Sequence, residues 1–185
     1  MATELRTGRL LLRPWTTAPA DLDRLADIYG RDEVTRWIGG PPTVPTADLP
    51  ARWAAVHAAD DRFLCWAIEP DGGPVAGTVL FKPLPNGVGE VEVGWHLHPD
   101  SWGRGYATEA ARAVVERGFD AGLPEVYAVV RPGNTASLAV CRRLGMDALG
   151  RMRRWYDVEV EAFRLVAPAV VVGTHRVPPA PTWTA

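Results

Sequence analysis

Polar and apolar positions alternate most strictly over Glu90–Pro99, EVEVGWHLHP. Val91, Val93, Trp95 and Leu97 fall on one side and Glu92, Gly94, His96 and His98 on the other, the period of two of a strand. Two strand-like runs precede it, Arg62–Glu69 (RFLCWAIE) and Val75–Lys82 (VAGTVLFK). The first gap, Pro70–Pro74, has the Gly and Pro chemistry of a turn, and the second carries the turn pair Asn86–Gly87. Three strands joined by tight turns predict an antiparallel meander. Upstream, Arg9–Trp15 (RLLLRPW) reads as a strand ended by Pro14. Over Ala18–Gly30 the period changes. Leu22, Leu25, Ile28 and Tyr29 recur at three- and four-residue spacing on one helical face, and Gly30 ends the helix. A second helical stretch, Thr46–Asp61, follows the Pro41–Pro42 break.

Downstream of the meander, Tyr106–Ala121 predicts a helix with Ala110, Ala111, Val114, Val115 and Phe119 inward, capped by Gly122 ahead of Pro124. Glu125–Arg131 (EVYAVVR) is strand-like. A strand, a crossover helix and a further strand place this one parallel to Glu90–Pro99. The expected fold class is therefore α/β (α+β), with a mixed, mostly antiparallel central sheet flanked by helices. Asn134–Gly145 is a further helix with Asn134 as N-cap, and Arg151–Val166 is a hairpin or two short strands. Residues 1–166 read as a single domain. The segment 167–185, with four prolines in nineteen residues, reads as a loose tail or as an arm against a neighbouring copy in a homodimer.

Composition narrows the function classes. With 185 residues, 47% of them hydrophobic, the chain can bury a sizeable core. A net charge of -2 gives no basis for expecting nucleic acid or an anionic membrane as partner. No apolar run approaches the ~18 residues a membrane helix needs, and the run near the start, Leu10–Leu12, is too short for a secretory leader. Cys65 and Cys141 make neither a disulfide framework nor a metal-ligand spacing. The expectation is a cytoplasmic, metal-free protein.

The candidate chemistry lies in PDSWGRGYATEA, Pro99–Ala110, where Gly103 and Gly105 flank Arg104 as a strand passes into a helix. The first four N–H groups of a helix have no internal partner, and the helix dipole adds about half a positive charge there. Phosphate oxygens suit that environment, and small residues let them approach. The loop is no P-loop, because the lysine is missing. Against the dinucleotide fingerprint it offers two of three glycines, with Thr108 at the third, and it follows a meander instead of a first parallel strand.

WGRGYA (Trp102–Ala107) resembles the coenzyme A pyrophosphate loop of the GNAT acetyltransferases, [RQ]-x-x-G-x-[GA], with Gly105 and Ala107 in the small positions and Trp102 as a departure at the first. RLLLRPW, VEVGWHLHPDSWGRGYATEA and NTASLAVCRRLGM (Asn134–Met146) are similar, in order, to segments of the branch that acetylates ribosomal-protein N-termini. The resemblance implies the GNAT fold, whose sheet splays in a V between its fourth and fifth strands. It implies acetyl transfer from acetyl coenzyme A to a primary amine, on a peptide N-terminus or a small molecule. On this resemblance, backbone groups of Trp95, His96, Leu97 and His98 pair with the pantetheine arm, and one N–H among them holds the developing oxyanion. Trp102, Gly103, Arg104, Gly105, Tyr106, Ala107 and Thr108 cradle the pyrophosphate, with Asn134 and Ser137 alongside. Glu92 is the first candidate for the base that deprotonates the amine and His96 the second, each holding a water against it. The competing roles are a salt-bridged strand carboxylate and a packed histidine. Ser137 and Tyr156 are candidates at the leaving sulfur. Many family members have a tyrosine where Cys141 stands, and a buried helix cysteine acts as a small hydrophobe. Trp37, Trp53 and Trp155 are candidate walls of the acceptor pocket. The rival class on the same fold is a non-catalytic acyl-coenzyme-A-binding or sensing protein.

Overall fold

The meander forms at the centre of a larger sheet. A computed structural model of the chain describes residues 4–168. Strand β1 (Leu5–Arg6) and β2 (Leu10–Pro14) lead into three helices, α1 (Pro19–Tyr29), α2 (Asp32–Thr35) and α3 (Leu49–Ala59). The meander follows as β3 (Leu64–Pro70), β4 (Gly77–Pro83) and β5 (Val91–Leu97). Then come α4 (Tyr106–Asp120), β6 (Glu125–Val130), α5 (Thr135–Leu144), β7 (Asp147–Met152) and β8 (Val160–Val166). The eight strands form one sheet in the order β1-β2-β3-β4-β5-β6-β8-β7. Only β5 and β6 pair in parallel; every other neighbour is antiparallel.

Adjacent residues of β3 show why helices cover both faces. Trp66 joins the main core with Val79, Val93, Val114 and Ala111 beneath α4 and α5. Ala67, one position on, joins a second cluster with Trp15, Leu25, Ile28 and Tyr29 beneath α1 and α3. A third, smaller cluster on that second face holds Leu84, Tyr127, Trp155 and Ala162. Among the described residues no helix is long and apolar enough to cross a membrane.

The expected elements differ in detail for physical reasons. The stretch from Thr46 opens as a 3-10 turn, Thr46–Asp48, and becomes α-helical at Leu49 with Pro50 in its first turn. The last hairpin starts at Asp147, four residues before the expected Arg151. As the sheet's edge strand β7 is almost wholly exposed, so no alternation marks it. On α4 the expected Ala110, Ala111, Val114 and Val115 are buried, joined by Gly118, while Phe119 is partly buried against the main core. Beyond Pro168 the tail lies outside the described residues.

Gly118 also explains how closely α4 packs. A Cβ there would lie 2.5 Å from Cζ of Phe81, a fully buried residue of β4. Gly118→Ala gains up to ~1 kcal/mol of helix propensity, but overpacking a core costs ~1–3 kcal/mol. The expected outcome in urea unfolding is net destabilisation, recovered when Phe81→Leu is added. A stabilised single variant would contradict this packing.

Candidate active site

Strands β5 and β6 meet at one pair of residues, Glu92 and Tyr127, and then part. Across its other edge β5 pairs with β4 over seven residues, from Val91 to Leu97. In an antiparallel ladder alternate residues turn their N–H and C=O groups to the partner. The His98 N–H bonds the Ala76 carbonyl at 2.9 Å, so the main-chain groups of His96 and Gly94 also turn to β4. Those of Trp95 and Leu97 turn into the gap beside β6. Of the four backbone positions expected to face the gap, His96 and His98 therefore do not. The Leu97 carbonyl accepts from Trp102 Nε1 at 2.9 Å. The Trp95 N–H and C=O and the Leu97 N–H remain directed into the opening.

The glycine loop stands at the mouth of this gap. Gly103 (φ +73°) and Gly105 (φ +80°) take left-handed conformations that other residues rarely adopt. Gly105 is the N-cap of α4 and supplies no side-chain cap, which leaves the amides of Tyr106, Ala107 and Thr108 uncapped. Thr108 Oγ1 is buried there with no hydrogen-bond partner among the described residues. Glu109 sits in the same turn, where its charge would repel a phosphate. Its carboxylate is engaged by Thr7 Oγ1 at 2.6 Å and Arg9 Nε at 2.8 Å, and Arg9 also donates to the Arg104 carbonyl at 3.2 Å. Uncapped amides, an orphaned hydroxyl and a neutralised carboxylate fit the pyrophosphate of coenzyme A.

Helix α5 closes the gap's far side. Asn134 Oδ1 accepts from the Ser137 N–H at 3.2 Å, the predicted N-cap. Ser137 Oγ accepts from Trp95 Nε1 at 3.2 Å, which leaves its own hydrogen free. Cys141 is fully buried in the main core, and burial pushes its thiol up to about 12, so it packs as a neutral thiol.

The opposite face of β5 carries the ionisable groups. Glu92 is 7% exposed. Its Oε2 accepts from Lys82 Nζ at 3.1 Å and from the Tyr156 hydroxyl, and Lys82 also lies 3.0 Å from that hydroxyl. Among the described residues Oε1 has no hydrogen-bond partner. Burial alone would depress the Lys82 ammonium, but the Glu92 charge and Tyr156 outweigh it and raise it. Burial, then the Glu92 charge, pushes the Tyr156 phenol up to about 12. Lys82 was not apparent as a site residue from the sequence. Its signal is the register Lys82–Glu92, which places the two side by side on one face.

His96 has different surroundings. Its Nδ1 lies 3.0 Å from the Tyr29 hydroxyl, which is 3.2 Å from Thr78 Oγ1. Burial, aided by the Lys82 charge, lowers its imidazole to about 4. It stands four residues from Glu92, about 13 Å along the strand, so the two do not share one water. His98 lies between Asp27 (Nε2 to Oδ2, 3.0 Å) and Asp100, whose N–H it accepts at 3.2 Å. Its side chain ties α1 to the turn before the glycine loop and is not in the site.

One cleft of roughly 2000 Å³ joins these parts. Trp95, the glycine loop, Asn134 and Ser137 line one end, and Glu92, His96 and Tyr156 the other. Trp37 and Trp53 line it as expected. Trp155 does not. It is 1% exposed and packs on Tyr127 at 5.3 Å, because the hairpin turns its neighbour Tyr156 to the cleft instead.

A family profile described as an acetyltransferase (GNAT) domain matches residues 9–147. A Bacillus subtilis (strain 168) protein, the uncharacterized N-acetyltransferase YoaA, is 31% identical over 175 residues, 89% of this chain and 97% of its own length. The crystal structure of an acetyltransferase from Agrobacterium tumefaciens strain C58 superposes with a TM-score of 0.75 at 29% identity, covering 89% of this chain and 95% of that one. Mycobacterium smegmatis RimJ, in complex with CoA-disulfide, shares the fold at a TM-score of 0.69 and 23% identity, over 86% of each chain. With its parted parallel strands and its uncapped helix start, the chain belongs to the GNAT family and is an acetyltransferase that uses an acyl-coenzyme A donor.

Proposed function

We propose that the enzyme transfers an acetyl group from acetyl coenzyme A to a primary amine, by direct attack while both are bound. The observation that carries this reading is the Glu92 carboxylate. One oxygen is tied to Lys82 and Tyr156, the other has no hydrogen-bond partner among the described residues, and the residue lines the cleft. The thioester supplies an activated acyl group when bound. The uncapped amides of α4 and Thr108 Oγ1 hold its pyrophosphate, and the Trp95 and Leu97 groups hold the arm. An N–H in this stretch also polarises the carbonyl that the amine attacks.

An amine enters largely as an ammonium and must lose a proton to become a nucleophile. Glu92 Oε1 accepts that proton, directly or through one water. A positioned base of this kind contributes typically ~10²–10⁴ in rate. Lys82 and Tyr156 hold the carboxylate in place for the task. At the sulfur, Ser137 is the better placed donor, because its hydroxyl hydrogen is free whereas that of Tyr156 is committed to Glu92. His96, lowered to about 4, is neutral at working pH and packs against Tyr29.

Two outcomes test this. Glu92→Gln is expected to lower turnover ~10²-fold with little change in the Michaelis constant for acetyl coenzyme A. The rate of the parent enzyme is expected to show no inflection from His96 near the ordinary histidine value of ~6.5, and His96→Asn to leave the shape of the profile unchanged. Full turnover of Glu92→Gln with every amine offered would remove Glu92 from the chemistry. Coenzyme binding without thiol release from the parent would indicate a sensor.

Gly105→Val places a branched side chain at φ +80°, with its Cβ 3.4 Å from Arg9 Nη2. It is expected to raise the Michaelis constant for acetyl coenzyme A at least tenfold, about 1.4 kcal/mol, in steady-state kinetics on a folded variant. An unchanged constant would take the loop out of the site.

A further inference from the structure

We propose that the acceptor is a free amino acid and that Arg131 binds its carboxylate. The inference rests on the amine-acceptor reading above and adds the acceptor's second functional group. Glu92 and Tyr127 are paired residues of two parallel strands, so their side chains stand on one face of the sheet. Alternation carries that face through Gly94 and His96 on β5, and through Val129 to Arg131 at the end of β6. Arg131 follows the last residue of β6, where the two strands have parted. Its guanidinium confirms the direction. A Cβ on Gly39, in the loop between α2 and α3, would lie 3.3 Å from Arg131 Nη2. Both residues line the cleft.

Arg131 is a cleft-lining cation without an assigned partner, whereas Arg36, which lines the same cleft, lies over the Trp37 ring. Lys82 is paired with Glu92, and Arg9 with Glu109. Glu33, the nearby cleft-lining carboxylate on α2, lies 3.7 Å from Arg31. Among the described residues the Arg131 guanidinium has neither an ion-pair nor a hydrogen-bond partner. A half-buried cation left unpaired is costly, and a guanidinium fork fits a carboxylate with two parallel hydrogen bonds.

Chemistry sets the class of the acceptor. The register places the backbone of Arg131 about 13 Å further along the sheet than that of Glu92, and both residues line the same cleft, so their side chains must converge on the acceptor. That acceptor carries its amine at Glu92 and its anion at Arg131. A free amino acid has that form, whereas the first residue of a peptide carries an amide where the carboxylate would be. Trp37 and Trp53 supply apolar walls for its side chain.

The test compares kcat/KM for free amino acids and their carboxamides at matched side chains, phenylalanine against phenylalaninamide and methionine against methioninamide. The free acids are expected to be preferred at least tenfold. Arg131→Gln should slow the acids at least tenfold more than the amides, and Arg131→Lys should restore part of the preference. Amide turnover in each variant reports that it is folded. Amides acetylated as fast as acids, or Arg131→Gln slowing both alike, would overturn the carboxylate assignment and leave the amine-acceptor reading standing. Acetylation of neither class would overturn that reading, and this inference with it.

Discussion

The site depends on two parallel strands that pair once and then part. Backbone groups in a sheet are normally satisfied across both edges, and a buried one left unmade costs about 1–3 kcal/mol. Here β5 keeps its full ladder with β4 on one side and loses β6 after Glu92 on the other. The Trp95 and Leu97 groups so exposed match an extended, amide-bearing arm. The chain satisfies one of them itself, since Trp102 donates to the Leu97 carbonyl. That gives the tryptophan at the loop's first position a structural role where the family pattern has Arg or Gln.

The same parting separates two chemistries by sheet face. On the α4 side are the uncapped amides and Thr108, suited to phosphate. On the α1 side are Glu92, Lys82 and Tyr156. Glu92 is nearly buried, and a buried carboxylate is tolerated only when paired. Lys82 supplies the partner, and Tyr156 ties both to the last hairpin. One oxygen of the carboxylate is thereby fixed while the other stays available. His96 has no such partner, so burial removes its charge and leaves it as a packing residue beside Tyr29.

The meander, the parallel crossover, the glycine loop and Asn134 as cap were legible because each has a local signal: alternation, helical period, small residues before a helix, a capping side chain. Glu92 was legible as a polar residue within an alternating strand. Lys82 was not. Folding the meander tightly about Asn86–Gly87 would set Lys82 opposite Val91, whereas the longer connection sets it opposite Glu92. A slip of one residue moves every side chain to the other face. The same limit applies to Trp155 and Tyr156, adjacent residues whose faces only the hairpin's register decides. His96 and His98 read as gap-facing for a related reason, since the direction of a backbone group depends on which edge its partner occupies. The edge strand β7 gave no periodicity because neither of its faces is buried over most of its length.

The central claim is that the gap beside β5 holds the donor through the backbone of Trp95 and Leu97. Amide hydrogen exchange, resolved by residue and followed with and without coenzyme A, tests it directly. The account expects the Trp95 and Leu97 amides to exchange readily in the free protein and to become protected on binding. Those of His96 and His98, bonded to β4, should be protected in both states. Coenzyme A binding that leaves Trp95 and Leu97 unchanged would contradict the account.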